Sequence, residues 1–153
     1  MITDFLNILT FVVATIAAVF SFIMWRISRK EELSMLKALY DHLGEINKSA
    51  IGHERQFLMT HILPSWPIPN MDVNYYLTKI SYKVRKETSL MWISTRKLKK
   101  NLIKVHERVN TINFLWKQAA DGCKTDLYSN TYYSDLNNDI LLVQEQIQKL
   151  CWT

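Results

Sequence analysis

Residues Phe5–Trp25 read FLNILTFVVATIAAVFSFIMW, twenty-one positions without one charged side chain. At about 1.5 Å per residue such a run makes a helix about 30 Å long, which matches the hydrocarbon thickness of a bilayer. A cleaved leader would carry a positive start, a shorter apolar centre and a small-residue cleavage site. Here the start is Met1-Ile2-Thr3-Asp4, the run closes on Phe22-Ile23-Met24-Trp25, and the basic residues Arg26, Arg29 and Lys30 follow it. The reading is an uncleaved transmembrane anchor over residues 1–27. Lys and Arg beside a span are retained on the cytoplasmic side. That expects a single-pass protein of the cytoplasmic (inner) membrane, with its N-terminus outside and residues 26–153 in the cytosol. Trp25 stands where an amphipathic ring meets the interface.

Working outward, the rest of the chain reads as all-α. Three Gly and three Pro in 153 residues are too few for the tight turns that sheets need. Leu33, Leu36, Leu39, Tyr40, Leu43, Ile46 and Ala50 recur at steps of three and four, so a membrane-proximal helix is expected over residues 28–63. Pro64, Pro67 and Pro69 then remove backbone donors and force extended geometry, which makes residues 64–71 a Pro-rich turn. A second helix is expected from Asp72, a residue suited to a helix start, through residue 120. Along it Leu77, Val84, Met91, Leu98, Val105, Ile112 and Ala119 fall at every seventh position. The companion positions drift: Glu87, Ser94, Asn101 and Arg108 are polar, and Leu102, Val109 and Trp116 take over one step along. The pattern is weakest at Thr88-Ser89. Gly122 and the polar stretch 121–130 mark a loop. Leu136, Ile140, Val143, Ile147 and Leu150 set a last seam in a helix over 133–151. With short connections, neighbouring helices pack antiparallel. The expected fold is an anchor followed by a cytosolic, coiled-coil-like antiparallel hairpin or bundle, with residues 72–153 forming the hairpin.

The net charge of +5 is unevenly spread. Between Lys79 and Arg108 ten basic residues face two acidic ones, a local net of +8, whereas from Asp121 onward five acidic residues face two basic ones. A basic face of Lys79, Lys83, Lys86, Lys97, Lys100, Lys104 and Arg108 is partly matched by its acidic neighbour and is a candidate surface for anionic lipid. Nucleic acid is the weaker partner, since no helix-turn-helix, zinc finger or aromatic platform accompanies the charge.

Motifs for chemistry are absent from the text. His53-Glu54 opens a zinc-protease string, but the second His would stand where Phe57 is. His42, His53, His61 and His106 show no ligand spacing and are expected at the surface or boundary. Cys123 and Cys151 are expected as free thiols. No catalytic residue, metal site or cofactor is expected, and the chain does not read as an enzyme. Inside the span, Thr10, Ala14 and Ala18, with Ala17 and Ser21 one step off, supply small residues at four-residue spacing that allow close helix approach in lipid. The leading expectation is a membrane-anchored interaction or scaffold protein that tethers a protein partner, or further copies of itself, to the bilayer. Trp66 and Ile68 are candidate contact residues. The alternatives are a small membrane-perturbing effector of the holin, toxin or abortive-infection type, acting through oligomers of its span, and a membrane-coupled sensor.

Overall fold

Apolar side chains at alternating steps of three and four residues draw three helices together. The computed structural model describes residues 2–72, 74–79, 90–128 and 131–152, with side chains from residue 6 onward except at 90–95 and 152. Helix α1 runs Ile2–Thr60, α2 Leu90–Ala120 and α3 Tyr132–Trp152, and the described residues contain no strand. The chain divides into two compact units, Met1–Leu36 and Lys37–Thr153.

The first unit is helix alone. From Leu6 to Ile27 its large apolar side chains stand open, with Phe11 73% and Ile16 64% exposed. Thr10 and Thr15 donate their hydroxyls to the carbonyls of Leu6 and Phe11, each at 2.8 Å, so both are satisfied within their own helix.

The second unit holds the core. From α1 come Leu39, Leu43, Ile46, Ala50 and His53, from α2 Leu98, Leu102, Val105, Val109 and Ile112, and from α3 Tyr133, Leu136, Ile140, Val143 and Ile147. Each set averages 3.5 residues per step, the period of a coiled-coil seam. Within residues 98–112 the α2 seam does not drift, because Leu102 and Val109 fill the companion positions beside the sevenfold series. Each such Leu or Ile stabilises the unit by about 1.5–3 kcal/mol through the area it removes from water.

Helix directions within this unit follow from paired contacts. Residue Tyr40 meets Gln144 and Gln148 while His53 meets Tyr133, so α1 and α3 run antiparallel. Lys104 meets Asp139 while Arg108 reaches Asp135, so α2 and α3 run antiparallel as well. Within the unit α1 and α2 are therefore parallel, which corrects the expected antiparallel pairing across the Pro-rich segment. That segment is not a tight turn. It runs back along the bundle, with Pro64, Ile68 and Met71 buried, before the chain becomes helical again over 74–79. Asp72 does start that helical segment, its carboxylate accepting the N–H of Tyr75 at 3.0 Å. Val84, Thr88, Ser89, Lys83 and Lys86 lie outside the described residues.

The C-termini of α1 and α2 each use a left-handed residue. At the end of α2, Gly122 has φ +83°, its N–H bonds Ala119 O at 3.1 Å, and Cys123 N–H bonds Gln118 O at 2.9 Å, which together form a Schellman motif. At the end of α1 the same place is taken by His61 at φ +53°, whose N–H bonds Phe57 O at 2.8 Å.

Candidate functional site

The most connected polar side chain in the second unit is His53, fully buried on the core stripe of α1 and not at the surface or boundary as its sequence context suggested. Its burial is possible because both ring nitrogens are partnered. Nε2 lies 2.8 Å from the carbonyl of Trp66, which can only accept, so Nε2 carries the proton. Nδ1 is then the acceptor for the Tyr133 hydroxyl at 2.8 Å, with the Tyr128 hydroxyl at 3.4 Å from the same nitrogen. Burial holds the imidazole below the usual histidine range, with the Trp66 hydrogen bond opposing. Burial likewise pushes the Tyr133 phenol upward, reinforced by its hydrogen bond with Tyr128. Around this centre Phe57 stacks on Tyr128 at 3.7 Å, and Trp116 meets the histidine ring edge-on at 6.3 Å. With the ring sealed and both nitrogens engaged, the cluster ties α1, the extended segment and α3 together. It offers no lone pair to a substrate.

A second set of contacts fixes the extended segment to α2. Asn113 acts as a backbone surrogate: its Oδ1 accepts Ile68 N–H and its Nδ2 donates to Ile68 O, both at 2.9 Å. Trp116 Nε1 donates to Pro64 O at 3.0 Å, and Asn70 Nδ2 donates to Asn110 Oδ1 at 3.0 Å. Prolines deprive the segment of donors, and on α2, at three-residue steps, Asn113 pairs the Ile68 N–H and carbonyl, Trp116 pairs the Pro64 carbonyl and Asn110 holds the Asn70 side chain. The sequence reading missed Asn110 and Asn113; the available signal was a polar pair three residues apart beside an apolar seam.

Between α2 and α3, Asp139 is almost fully buried and is met by Lys104 Nζ at 2.9 Å and by Arg108 Nε, while Arg108 also reaches Asp135 at 3.1 Å. Two members of the expected basic face, Lys104 and Arg108, are thus engaged within the unit. Lys97 and Lys100 are exposed, and Lys79 is exposed with its ammonium 5.7 Å from the Tyr75 ring centre. The complementarity of charge between the two helices was legible; the burial of its acidic partner was not.

Other expected sites fall as follows. Thr10, Ala14, Ala17, Ala18 and Ser21 are exposed along the first unit. Trp66 is half-exposed, at the same end of the second unit as the open side chains of Leu58, Met59 and Ile62. Ile68 corrects the sequence reading: it is 1% exposed and belongs to the core, because Asn113 draws its backbone against α2. Cys123 is exposed and Cys151 half-buried, both as thiols. Among the described residues no three His, Cys, Asp or Glu side chains gather to hold a cation. Helix α1 is long and apolar enough to cross a membrane, with a mean hydropathy of 2.4 in its apolar window. No protein-family model matches the chain, and neither a curated protein nor a solved structure matches it.

Proposed function

We propose that the protein is a single-pass membrane anchor whose three-helix unit faces the cytosol and tethers a protein partner, or further copies of itself, to the bilayer. The observation that carries this reading is the uncharged Leu6–Trp25 stretch, whose large apolar side chains all stand open. Twenty such residues in water oppose the hydrophobic effect at about 25 cal/mol per Å² of apolar surface, and lipid removes that penalty. Arg26, Arg29 and Lys30 after the stretch set the cytosolic side. The interaction role draws on Leu58, Met59, Ile62 and Trp66, apolar side chains open to solvent at one end of the second unit.

Anchoring is favoured over ion leakage by the hydroxyls of Thr10 and Thr15, whose donors are already used inside the helix and so give a pore little polar lining. Crosslinking in native membranes, followed by identification of the attached proteins, tests the reading. The expected result is a carbonate-resistant membrane protein crosslinked to a defined partner or to itself. A chain that leaves the membrane fraction in alkaline carbonate, or that stays a lone monomer after crosslinking, overturns it.

A further inference from the structure

Directly after its uncharged stretch, α1 carries a short basic face of its own. Ile23, Arg26, Lys30 and Leu33 follow one another at steps of three, four and three, which keeps them within about 80° of one side of the helix. Trp25, Arg26, Ile27, Arg29, Lys30 and Leu33 line a shallow depression, open to solvent, whose walls are mostly carbon. All of it belongs to the first unit. Arg29 is taken up by Glu32 at 3.2 Å. Arg26 and Lys30 are exposed, and neither is ion-paired among the described residues. Glu31, the other carboxylate nearby, stands about 140° around the helix from Arg26 and about 100° from Lys30. On the N-terminal side Phe22 and Trp25 stack with ring centres 5.9 Å apart, and both are more than half exposed. Open carbon surface thus runs straight up to two unneutralised cations.

We propose that Arg26 and Lys30 hold the phosphate of an anionic phospholipid whose acyl chains lie along Phe22 and Ile23. The proposal rests on the reading of α1 as a membrane anchor, names a lipid partner for it, and involves the first unit alone. Depth fits the headgroup. With Trp25 at the edge of the hydrocarbon, Arg26 and Lys30 lie about 1.5 Å and 7.5 Å further along the helix. The headgroup layer is about 5–7 Å thick, so the guanidinium and the ammonium both reach into it. Charge and carbon together select the occupant. Two cations one turn apart on one face suit a phosphate bridging them, and the carbon surface beside them suits the chains attached to that phosphate. A soluble phosphate or a nucleic acid would use the charges and leave the carbon in water. Phosphatidylcholine brings an ammonium of its own, which Arg26 and Lys30 repel, so a headgroup of net negative charge is preferred.

The test uses the full chain in phosphatidylcholine nanodiscs doped with a trace of photoreactive phosphatidylglycerol or, at the same mole fraction, photoreactive phosphatidylcholine. Adducts on residues 22–33 are read by mass spectrometry. Each cation at an anionic surface contributes about a fivefold preference, so the phosphatidylglycerol adducts are expected to exceed the phosphatidylcholine ones by up to about 25-fold. Lys30→Gln should leave about a fivefold preference, and Arg26→Gln combined with Lys30→Gln should leave none while the chain still enters the discs. Arg26→Lys should keep most of it. Lys124→Gln, far along the chain, should change nothing. About 1 M salt, where screening falls to about 3 Å, should weaken the preference. Equal labelling by the two lipids, with the chain inserted, overturns the proposal and leaves the anchor standing. A preference that survives the double substitution, or that millimolar inorganic phosphate or added RNA abolishes, also overturns it. A chain that enters neither disc sinks the anchor reading, and the proposal with it.

Discussion

Nδ1 of His53 accepts the hydroxyl of Tyr133 across 2.8 Å, fastening α1 to α3, while the opposite ring nitrogen donates to Trp66. This arrangement requires a neutral imidazole, and burial lowers its proton affinity accordingly. An unfolded histidine titrates near 6.5, so below that pH the unfolded chain takes up a proton that the folded one resists. Stability is therefore full above about pH 6.5 and declines as pH falls through the window beneath it. Chemical denaturation in detergent, followed by tryptophan fluorescence at about pH 7, 6 and 5, on either side of the ordinary histidine value, checks this. A His53 ring titration by NMR centred above 6.5 contradicts it.

Replacing Asn113 removes the side-chain partners of the Ile68 N–H and carbonyl. Asn113→Ala leaves a largely buried N–H and carbonyl unpaired, and should destabilise the second unit by about 2–4 kcal/mol. The loss should be local, read as faster proteolysis within residues 62–72. Asn113→Asp keeps the acceptor for Ile68 N–H and loses the donor, so its effect should be intermediate. Equal protease resistance in all three proteins rules out the surrogate-backbone role.

Asp139 collects Lys104 and Arg108 at the α2–α3 interface. Asp139→Ala strands a half-buried guanidinium and should lower stability by about 2 kcal/mol. Lys104→Ala should lower it by less than about 1 kcal/mol, since that side chain is 53% exposed and water already screens it. A larger loss for Lys104 than for Asp139, measured by the same denaturation, reverses the assigned hierarchy.

The two left-handed helix ends predict opposite signs. Gly122→Ala forces a β-carbon into φ +83° and should destabilise by about 1 kcal/mol, although nothing crowds the site. His61→Gly relieves φ +53° at the matching place on α1 and should raise the melting temperature. A lower melting temperature for the glycine variant counts against the backbone account at that position.

Within the apolar stretch, Ile16→Lys places an ammonium near the centre of the proposed span at about 3 kcal/mol. The expected outcome is partial release of the chain into the carbonate supernatant, whereas Ile16→Leu behaves as the parent. Retention of both variants in the pellet denies the span its role in membrane attachment.

Much of the architecture was legible in the sequence. The seams of Leu39–Ala50, Leu98–Ile112 and Leu136–Ile147 could be read because the 3.5-residue period is local and each helix carries it unaided. The parallel pairing of α1 and α2 was not legible, because three prolines signal where a helix stops without stating which way the chain then travels. His53 was misjudged for a related reason. Its burial depends on Tyr133, eighty positions away, and on a carbonyl in the extended segment, partners that no spacing rule connects. Ile68 looked available in a proline-rich stretch, and only the amide of Asn113 made it a core residue.

The eighty-residue separation of His53 and Tyr133 also governs the order of assembly. Ribosomes add about 5–20 residues per second, so the core stripe of α1 waits about 4–16 s for its α3 partner to be synthesised. Contacts between α2 and α3 close a much shorter loop and form first, as low contact order favours. During that interval the nascent chain shows the insides of Leu39, Leu43 and Ile46 to chaperones, proteases and sister chains, which makes early biogenesis the stage at which this protein is most exposed to loss.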